Sequence, residues 1–314
     1  MKHRILTFAA VALCFTACSN DDEISQNFLA DTPININVSV DEPRTRAGYS
    51  NDVLPDGFKL TVNHSNSPVD KYNYVVYAQR VEKSWKTFKM DDDGSETTDE
   101  ITMLWANNTD PVNIMAANDS WPKEDQSTDE KQKQSDKLYM PSTQVSPSKE
   151  GITVAFRHTM SKINLTIELG DVYEFTTEVD KKITNVKIDG SLLKAEFNTS
   201  DGKVSVPTGD PASITPLLTG TNPYKNEAGT ITKASATYEA ILLPQTLASN
   251  RFTVSFMVDG KTYAWTYDEE LTLAPSTAYT LKLTAGNDKV QPASFSAASW
   301  GAGNGDEGEK KETD

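Results

Sequence analysis

The side chains able to do chemistry are few and scattered. Of three histidines, His3 belongs to a basic head, His64 lies in the turn-like run Asn63-His64-Ser65-Asn66-Ser67, and His158 falls between two apolar alternations. No two stand at metal-ligand spacing, and a histidine between two strands is better read as a packed junction residue than as a ligand. Asp91-Asp92-Asp93-Gly94-Ser95-Glu96 offers the oxygens that calcium takes. Setting Gly94 at the glycine of an EF-hand loop, however, puts Lys89 at the first ligand position. No helical pattern flanks the run, so it reads as a solvated hairpin tip. Nucleophile elbow, P-loop and H-E-x-x-H patterns are missing from the sequence. Any acidic β protein supplies carboxylate pairs, so a hydrolase stays open only as a weak alternative. Trp85, Trp105, Trp121, Trp265 and Trp300 are flat enough to stack on sugars, but burial suits most tryptophans better. No catalytic, cofactor-binding or metal-binding residue is assigned.

The cysteines point elsewhere. Lys2, His3 and Arg4 precede an uncharged run from Ile5 to Ala17, which ends at Cys18. That run is too short for a membrane span, which needs about 20 helical residues, and has the length of a secretory h-region. Phe15-Thr16-Ala17-Cys18 is similar to a lipobox, with Phe15 where Leu is usual. The expectation is a signal peptide over 1–17, removed as Cys18 is acylated at its thiol (palmitate) and its new amino group; an ordinary cleaved signal with a coincidental Cys is the alternative. Cys14 then leaves with the signal and no free thiol remains. Asn20-Asp21-Asp22-Glu23 follows, an acidic cluster that resembles the surface-export signal of lipoproteins in Gram-negative anaerobes; a plain solvated tether is the alternative.

The elements that must position these residues are strands. Ile34, Ile36, Val38 and Val40 alternate on one face of a run that Pro43 stops. Arg44-Thr45-Arg46-Ala47-Gly48 comes next, small and polar, a favourable place for proteolytic nicking between Arg46 and Ala47. Beyond Ala47 the alternation is nearly all period two: Leu60/Val62, Tyr72/Tyr74/Val76, Ile152/Val154/Phe156 and Ile163/Leu165/Ile167/Leu169. Asp201-Gly202 and Asp259-Gly260 each separate two alternating runs, the signature of a tight hairpin whose turn needs positive φ. The polar stretch 118–149 reads as a long surface loop, and one short helical turn is placed near 213–218.

At 314 residues, two domains are expected, divided near residue 158. With 45 acidic against 30 basic side chains, the net charge of −15 argues against a nucleic-acid partner. Residues 301–314 are Gly-rich and acidic, with no apolar residue beyond Ala302, and read as a disordered tail.

Several motifs in order resemble the fimbrillin (Mfa-like) family of type V pilus proteins. Phe156-Arg157-His158-Thr159-Met160-Ser161-Lys162-Ile163 is similar to that family's F-x-H-x-[LM]-x-K-[IV] junction, and Ile241-Leu242-Leu243-Pro244-Gln245, Asp259 to Trp265, Leu271-x-Leu273 and Tyr279-x-Leu281-x-Leu283 also fit. The resemblance implies an all-β chain of two tandem transthyretin-like β-sandwich domains, at 47–158 and 159–289, behind a lipidated propeptide at 18–46. It implies a surface-exposed outer-membrane lipoprotein, cut after Arg46 by a trypsin-like protease, losing Ile34, Ile36, Val38 and Val40 and accepting a neighbouring pilin subunit's strand in a fimbria that serves cell adhesion. No enzyme activity is implied. The region 290–314 would carry the donor strand, with Phe295, Ala297 and Trp300 as its apolar residues, ahead of the acidic tail. That alternation is modest, so a minor, tip or accessory role stands beside a stalk role. A non-polymerising surface lipoprotein that binds glycans or a host ligand, as adhesin or anchor, is the alternative.

Overall fold

The structure, a computed structural model, describes residues 30–40, 49–50, 53–64, 70–287 and 289–300. Strand makes up 56% of the described residues and helix 4%, so the fold is all-β, as the alternation predicts. The first eight strands are β1 (Ile36–Val40), β2 (Gly57–His64), β3 (Tyr74–Val81), β4 (Ser84–Met90), β5 (Glu96–Glu100), β6 (Val112–Ala117), β7 (Leu138–Val145) and β8 (Ile152–His158). They bond into one sheet in the order β1-β8-β7-β6-β2-β3-β4-β5. The sheet curls over a core that holds Phe58, Leu60, Val76, Ile114, Leu138, Val154 and Phe156. Breaks in register between Ile114 and Ala116 and between Phe88 and Met90 supply the bends that curling requires.

The remaining strands are β9 (Ser161–Leu169), β10 (Ile183–Ser191), β11 (Phe197–Asn198), β12 (Lys203–Val204), β13 (Ala212–Ile214), β14 (Leu217–Lys225), β15 (Ile231–Leu242), β16 (Gln245–Leu247), β17 (Thr253–Val258), β18 (Lys261–Thr266), β19 (Leu271–Leu273), β20 (Thr277–Ala285) and β21 (Val290–Ser299). A five-stranded sheet, β14-β15-β9-β20-β21, and a four-stranded sheet, β13-β10-β17-β18, enclose a second core built on Ile163, Leu165, Ile167, Phe252, Val254, Phe256, Leu281 and Leu283. Only Thr159 and Met160 separate β8 of the first sheet from β9 of the second core.

Local chemistry explains the turns. Asp259 (φ 48°) and Gly260 (φ 83°) are both left-handed, and Val258 pairs with Lys261, a two-residue hairpin of the kind Asp-Gly favours. Phe197 pairs with Val204 around Gly202 (φ 70°). Asp91 to Ser95 closes the β4–β5 turn, with Ser95 N–H donating to the Asp91 carboxylate at 2.7 Å, so the acidic run is a hairpin tip.

Two expectations are corrected. The stretch 118–149 is not a surface loop: it holds α1 (Asp129–Lys133) and β7, and Gln126, Gln132, Ser135, Asp136 and Lys137 are buried. The side chains of Gln126, Ser135, Asp136 and Lys137 are hydrogen-bonded inside the molecule, which offsets the penalty that normally keeps such residues out. Residues 213–218 form no helical turn but the end of β13 and the start of β14; the one other α-helical turn among the described residues is α2 (Val179–Lys182).

Candidate functional site

Two sheet edges and the junction between the two cores carry the functional geometry. At the first edge β1 lies parallel to β8, with Ile36 opposite Ile152, Val38 opposite Val154 and Val40 opposite Phe156. Ile34 and Val40 are buried in the first core, and Ile36 and Val38 pack partly buried against it. Backbone bonds clamp the segment before the strand from both sides: Asp31 N–H to Trp105 O at 3.0 Å, Ile34 N–H to Met103 O at 2.9 Å, and Ile152 N–H to Asn35 O at 2.8 Å. The alternation thus seats a strand whose removal exposes a row of unpaired backbone groups and the apolar sites beneath them. The opposite edge of this sheet, β5, reads Glu-Thr-Thr-Asp-Glu and is mostly exposed, which discourages strand addition there.

Gly151 makes the close seating possible. Its φ is +86°, and a Cβ there would stand 2.1 Å from Asn35 O. Gly151→Ala is therefore expected to destabilise the chain by about 2–4 kcal/mol, from combined left-handed strain and clash. Hydrogen exchange should quicken first in Ile36–Val40; unchanged protection there would show that β1 does not depend on this approach.

The motif around His158 builds the junction. Phe156, His158, Met160, Lys162 and Ile163 are all buried. The His158 Nδ1 lies 2.9 Å from Asp136 Oδ1, both side chains being almost wholly enclosed. A carboxylate only accepts, so Nδ1–H is the donor. The Lys162 ammonium pairs with Glu239 at 2.6 Å across β9 and β15. Burial pushes the Glu239 carboxyl up from its ordinary value, outweighing the opposing pull of Lys162. Trp300 stacks on His158 with ring centroids 4.2 Å apart and 8° between planes, and Lys162 Nζ lies 5.7 Å from its ring. Met160, Ile241 and Leu243 complete this third apolar cluster.

Amides tie the stretch 118–137 to the second core. Gln126 Nε2 donates to Ile241 O at 2.7 Å and its Oε1 accepts from Ile241 N–H at 2.8 Å, closing a backbone edge as another strand would. Gln245, from the Ile-Leu-Leu-Pro-Gln motif, does the same for Leu192. Trp121 Nε1–H donates to Leu193 O at 3.0 Å.

Lys137, beside this network, donates to Asn118 O and lies over the Phe197 ring. Burial lowers its pKa from the ordinary 10.5 to about 8. In the unfolded chain it keeps its proton up to about pH 10, so the unfolded state binds more protons between pH 8 and 10.5. The cost of burying this charge is fully present below pH 8 and is relieved as pH rises through that window. Lys137→Met is expected to stabilise the chain by about 1–3 kcal/mol at pH 7 and to remove that rise, as read by denaturant titration at pH 7 and pH 10.

At the second edge β21 pairs antiparallel with β20. Phe295 is partly buried against Phe252, Tyr267 and Tyr279, whereas Ala297 is exposed and Trp300 is buried at the junction. Of the sequence-assigned donor residues, Phe295 and Ala297 thus lie in the chain's own sheet, Ala297 with its side chain exposed, and Trp300 follows that strand into the junction. Cys18, Arg46, Ala47 and the tail 301–314 lie outside the described residues.

The other candidates take structural places. His64 is the buried last residue of β2 rather than part of a turn, and its backbone N–H donates to Asn73 Oδ1 at 2.8 Å. Trp105 and Trp300 are buried; Trp85, Trp121 and Trp265 are partly buried against apolar clusters. One cleft of about 300 Å³ is lined by the aromatic residues Tyr49, Tyr77 and Trp121 beside Asp56 and Asp119. Asp136, Gln126, Lys137 and Glu239 were missed by sequence reasoning. None belongs to a periodic pattern, since the partners of Gln126 and Asp136 come from distant elements.

Two solved structures share this fold. A protein assigned to cell adhesion from Bacteroides ovatus matches at 17% identity and a TM-score of 0.55, over 85% of this chain and 97% of that one. Another so assigned, from Bacteroides uniformis, matches at 17% identity and 0.52, over 85% and 98%. No curated protein matches the chain. The sequence profile of the Fimbrillin-like family matches residues 45–300, spanning both cores, the junction and β21, and the chain therefore belongs to the fimbrillin-like family.

Proposed function

We propose that the protein is a pilin-like adhesion subunit that assembles by exchanging its N-terminal strand for a strand of a neighbouring subunit. Fimbrial membership makes it a cell-surface structural protein and not an enzyme. The observation that carries the assembly reading is β1: an edge strand, parallel to β8, with alternate apolar side chains seated in the first core. Strand addition to such an edge gains main-chain hydrogen bonds and fills side-chain sites together. In this reading the units are 1–17 (signal), 18–46 (lipidated propeptide), 47–158 and 159–289 (two β domains) and 290–314 (donor strand and tail). Cys18 anchors the precursor in the outer membrane, and a trypsin-like protease cuts between Arg46 and Ala47. The shared family region starts at residue 45, beside that bond. Intact-mass and N-terminal analysis of surface material tests this. A lipidated Cys18 terminus in monomer and an Ala47 terminus in SDS-resistant polymer support it; only uncut, monomeric chain would overturn it.

The cleft at Tyr49, Tyr77 and Trp121 favours a second reading, a glycan-binding adhesin, because aromatic residues beside carboxylates suit a hydroxyl-rich ligand. A glycan array with wild type and Tyr77→Ala tests it. Binding lost in the variant supports this reading, and no binding by wild type sinks it.

A further inference from the structure

We propose that a buried line of contacts, Tyr49–Asp136–His158–Trp300, latches strand β21 to the chain leading out of the N-terminal strand, so that loosening one end frees the other. This rests on the strand-exchange reading and adds a coupling between its two ends. Tyr49 N–H donates to Asp136 Oδ2 at 3.0 Å, and Asp136 Oδ1 accepts from His158 Nδ1 at 2.9 Å. The imidazole then stacks on Trp300, which immediately follows β21. The four residues span the molecule's sequence, yet each touches the next.

The line has the properties a latch needs. Asp136 is wholly buried, and its two side-chain oxygens are each taken by one donor of the line. Withdrawing the Tyr49 N–H leaves a buried carboxylate under-satisfied and removes one of the two contacts that fix its orientation toward His158. His158 Nε2 has no hydrogen-bond partner among the described residues, so the ring's hydrogen bond there is to Asp136, with Trp300 stacked on its face. Trp300 in turn closes the end of the C-terminal strand: its N–H donates to Ser276 O at 2.7 Å, and Ser276 N–H donates to Met160 O at 2.9 Å. A strand that must leave β20 to serve a neighbour has first to draw Trp300 out of this stack. The chain that would be cut at Arg46 holds the far end of the same line through Tyr49.

Hydrogen exchange across Val290–Trp300 in the full chain tests the coupling. Asp136→Asn retains one acceptor where two are needed, and His158→Gln removes the stack. Each is expected to speed exchange there roughly 5–10-fold while β17 and β18 stay protected. Replacing 42–47 with a specific protease site should produce the same rise after cutting. That result does not depend on the natural cleavage site, so failure of the latch is separable from failure of the processing reading. Unchanged exchange in Asp136→Asn, with the fold intact by circular dichroism, would overturn the proposal. So would a rise on cutting that is equally large in Asp136→Asn and wild type. Should both variants unfold, exchange across Val290–Trp300 in the otherwise wild-type chain before and after the engineered cut decides: unchanged exchange counts against the latch.

Discussion

A chain beginning at Ala47 is expected to be far less stable as a monomer than one that retains Ile34–Val40, and to recover when a peptide covering residues 31–40 is added. Two of the four apolar side chains are buried and two are partly buried. At ~1.5–3 kcal/mol for full burial, their loss removes roughly 5–9 kcal/mol before hydrogen bonds are counted. Since whole domains are stable by about 5–15 kcal/mol, little margin is left. The truncated chain should therefore either melt at least about 10 °C lower or polymerise. The added peptide should restore the melting temperature and suppress polymer on unboiled gels. A control peptide with its alternation shifted by one residue should do neither, because such a slip turns every apolar side chain away from the core. A truncated monomer that melts with the full chain would show that β1 contributes nothing that a neighbour's strand could replace.

The second large effect is expected at the Lys162–Glu239 pair. Both groups are taken from water, with their charged ends 2.6 Å apart. Lys162→Ala leaves the Glu239 carboxylate buried without its cation and should cost about 3–5 kcal/mol, a fall of roughly 10 °C or more in melting temperature. The double variant Lys162→Met/Glu239→Leu should lie much closer to wild type, since it removes both desolvation penalties. The raised pKa of Glu239 sets the pH dependence: the folded state favours the protonated carboxyl more than the unfolded state does. Its contribution to stability is therefore greatest at low pH and falls as pH rises through the folded value. The difference between Glu239→Gln and wild type should accordingly change between pH 4 and pH 7, by calorimetry. A Lys162→Ala variant that melts with wild type would show that the pair is not desolvated in solution.

How much of this was legible in the sequence depended on the length scale of each pattern. Period-two alternation locates β2, β3, β8, β9, β17 and β20 because each buries one face against a nearby core, so the signal is local. Asp259-Gly260 is legible for the same reason: two left-handed residues in succession leave few alternatives. His158 was readable as a packed junction residue from its place between two alternations, and it is buried there. The interior of 118–137 was not legible. Gln126 is buried because Ile241, 115 residues away, presents a backbone edge to it. Asp136 is buried because His158 and Tyr49 meet it. Such residues look like loop composition until their partners arrive. Trp300 was legible as apolar and near a strand end, but its stacking on His158 depends on the return of β20 and β21 to the junction.

The most direct test of strand exchange pins β1 in place. Ser39 and Ala155 are register partners on adjacent parallel strands, suited to a disulfide in a Ser39→Cys/Ala155→Cys chain. After cutting between Arg46 and Ala47, the oxidised chain is predicted to stay monomeric, and reduction should let it polymerise at the rate of the unmodified cut chain. Polymerisation at the same rate with the disulfide intact would contradict the account, because the edge of β8 would then not be where subunits join.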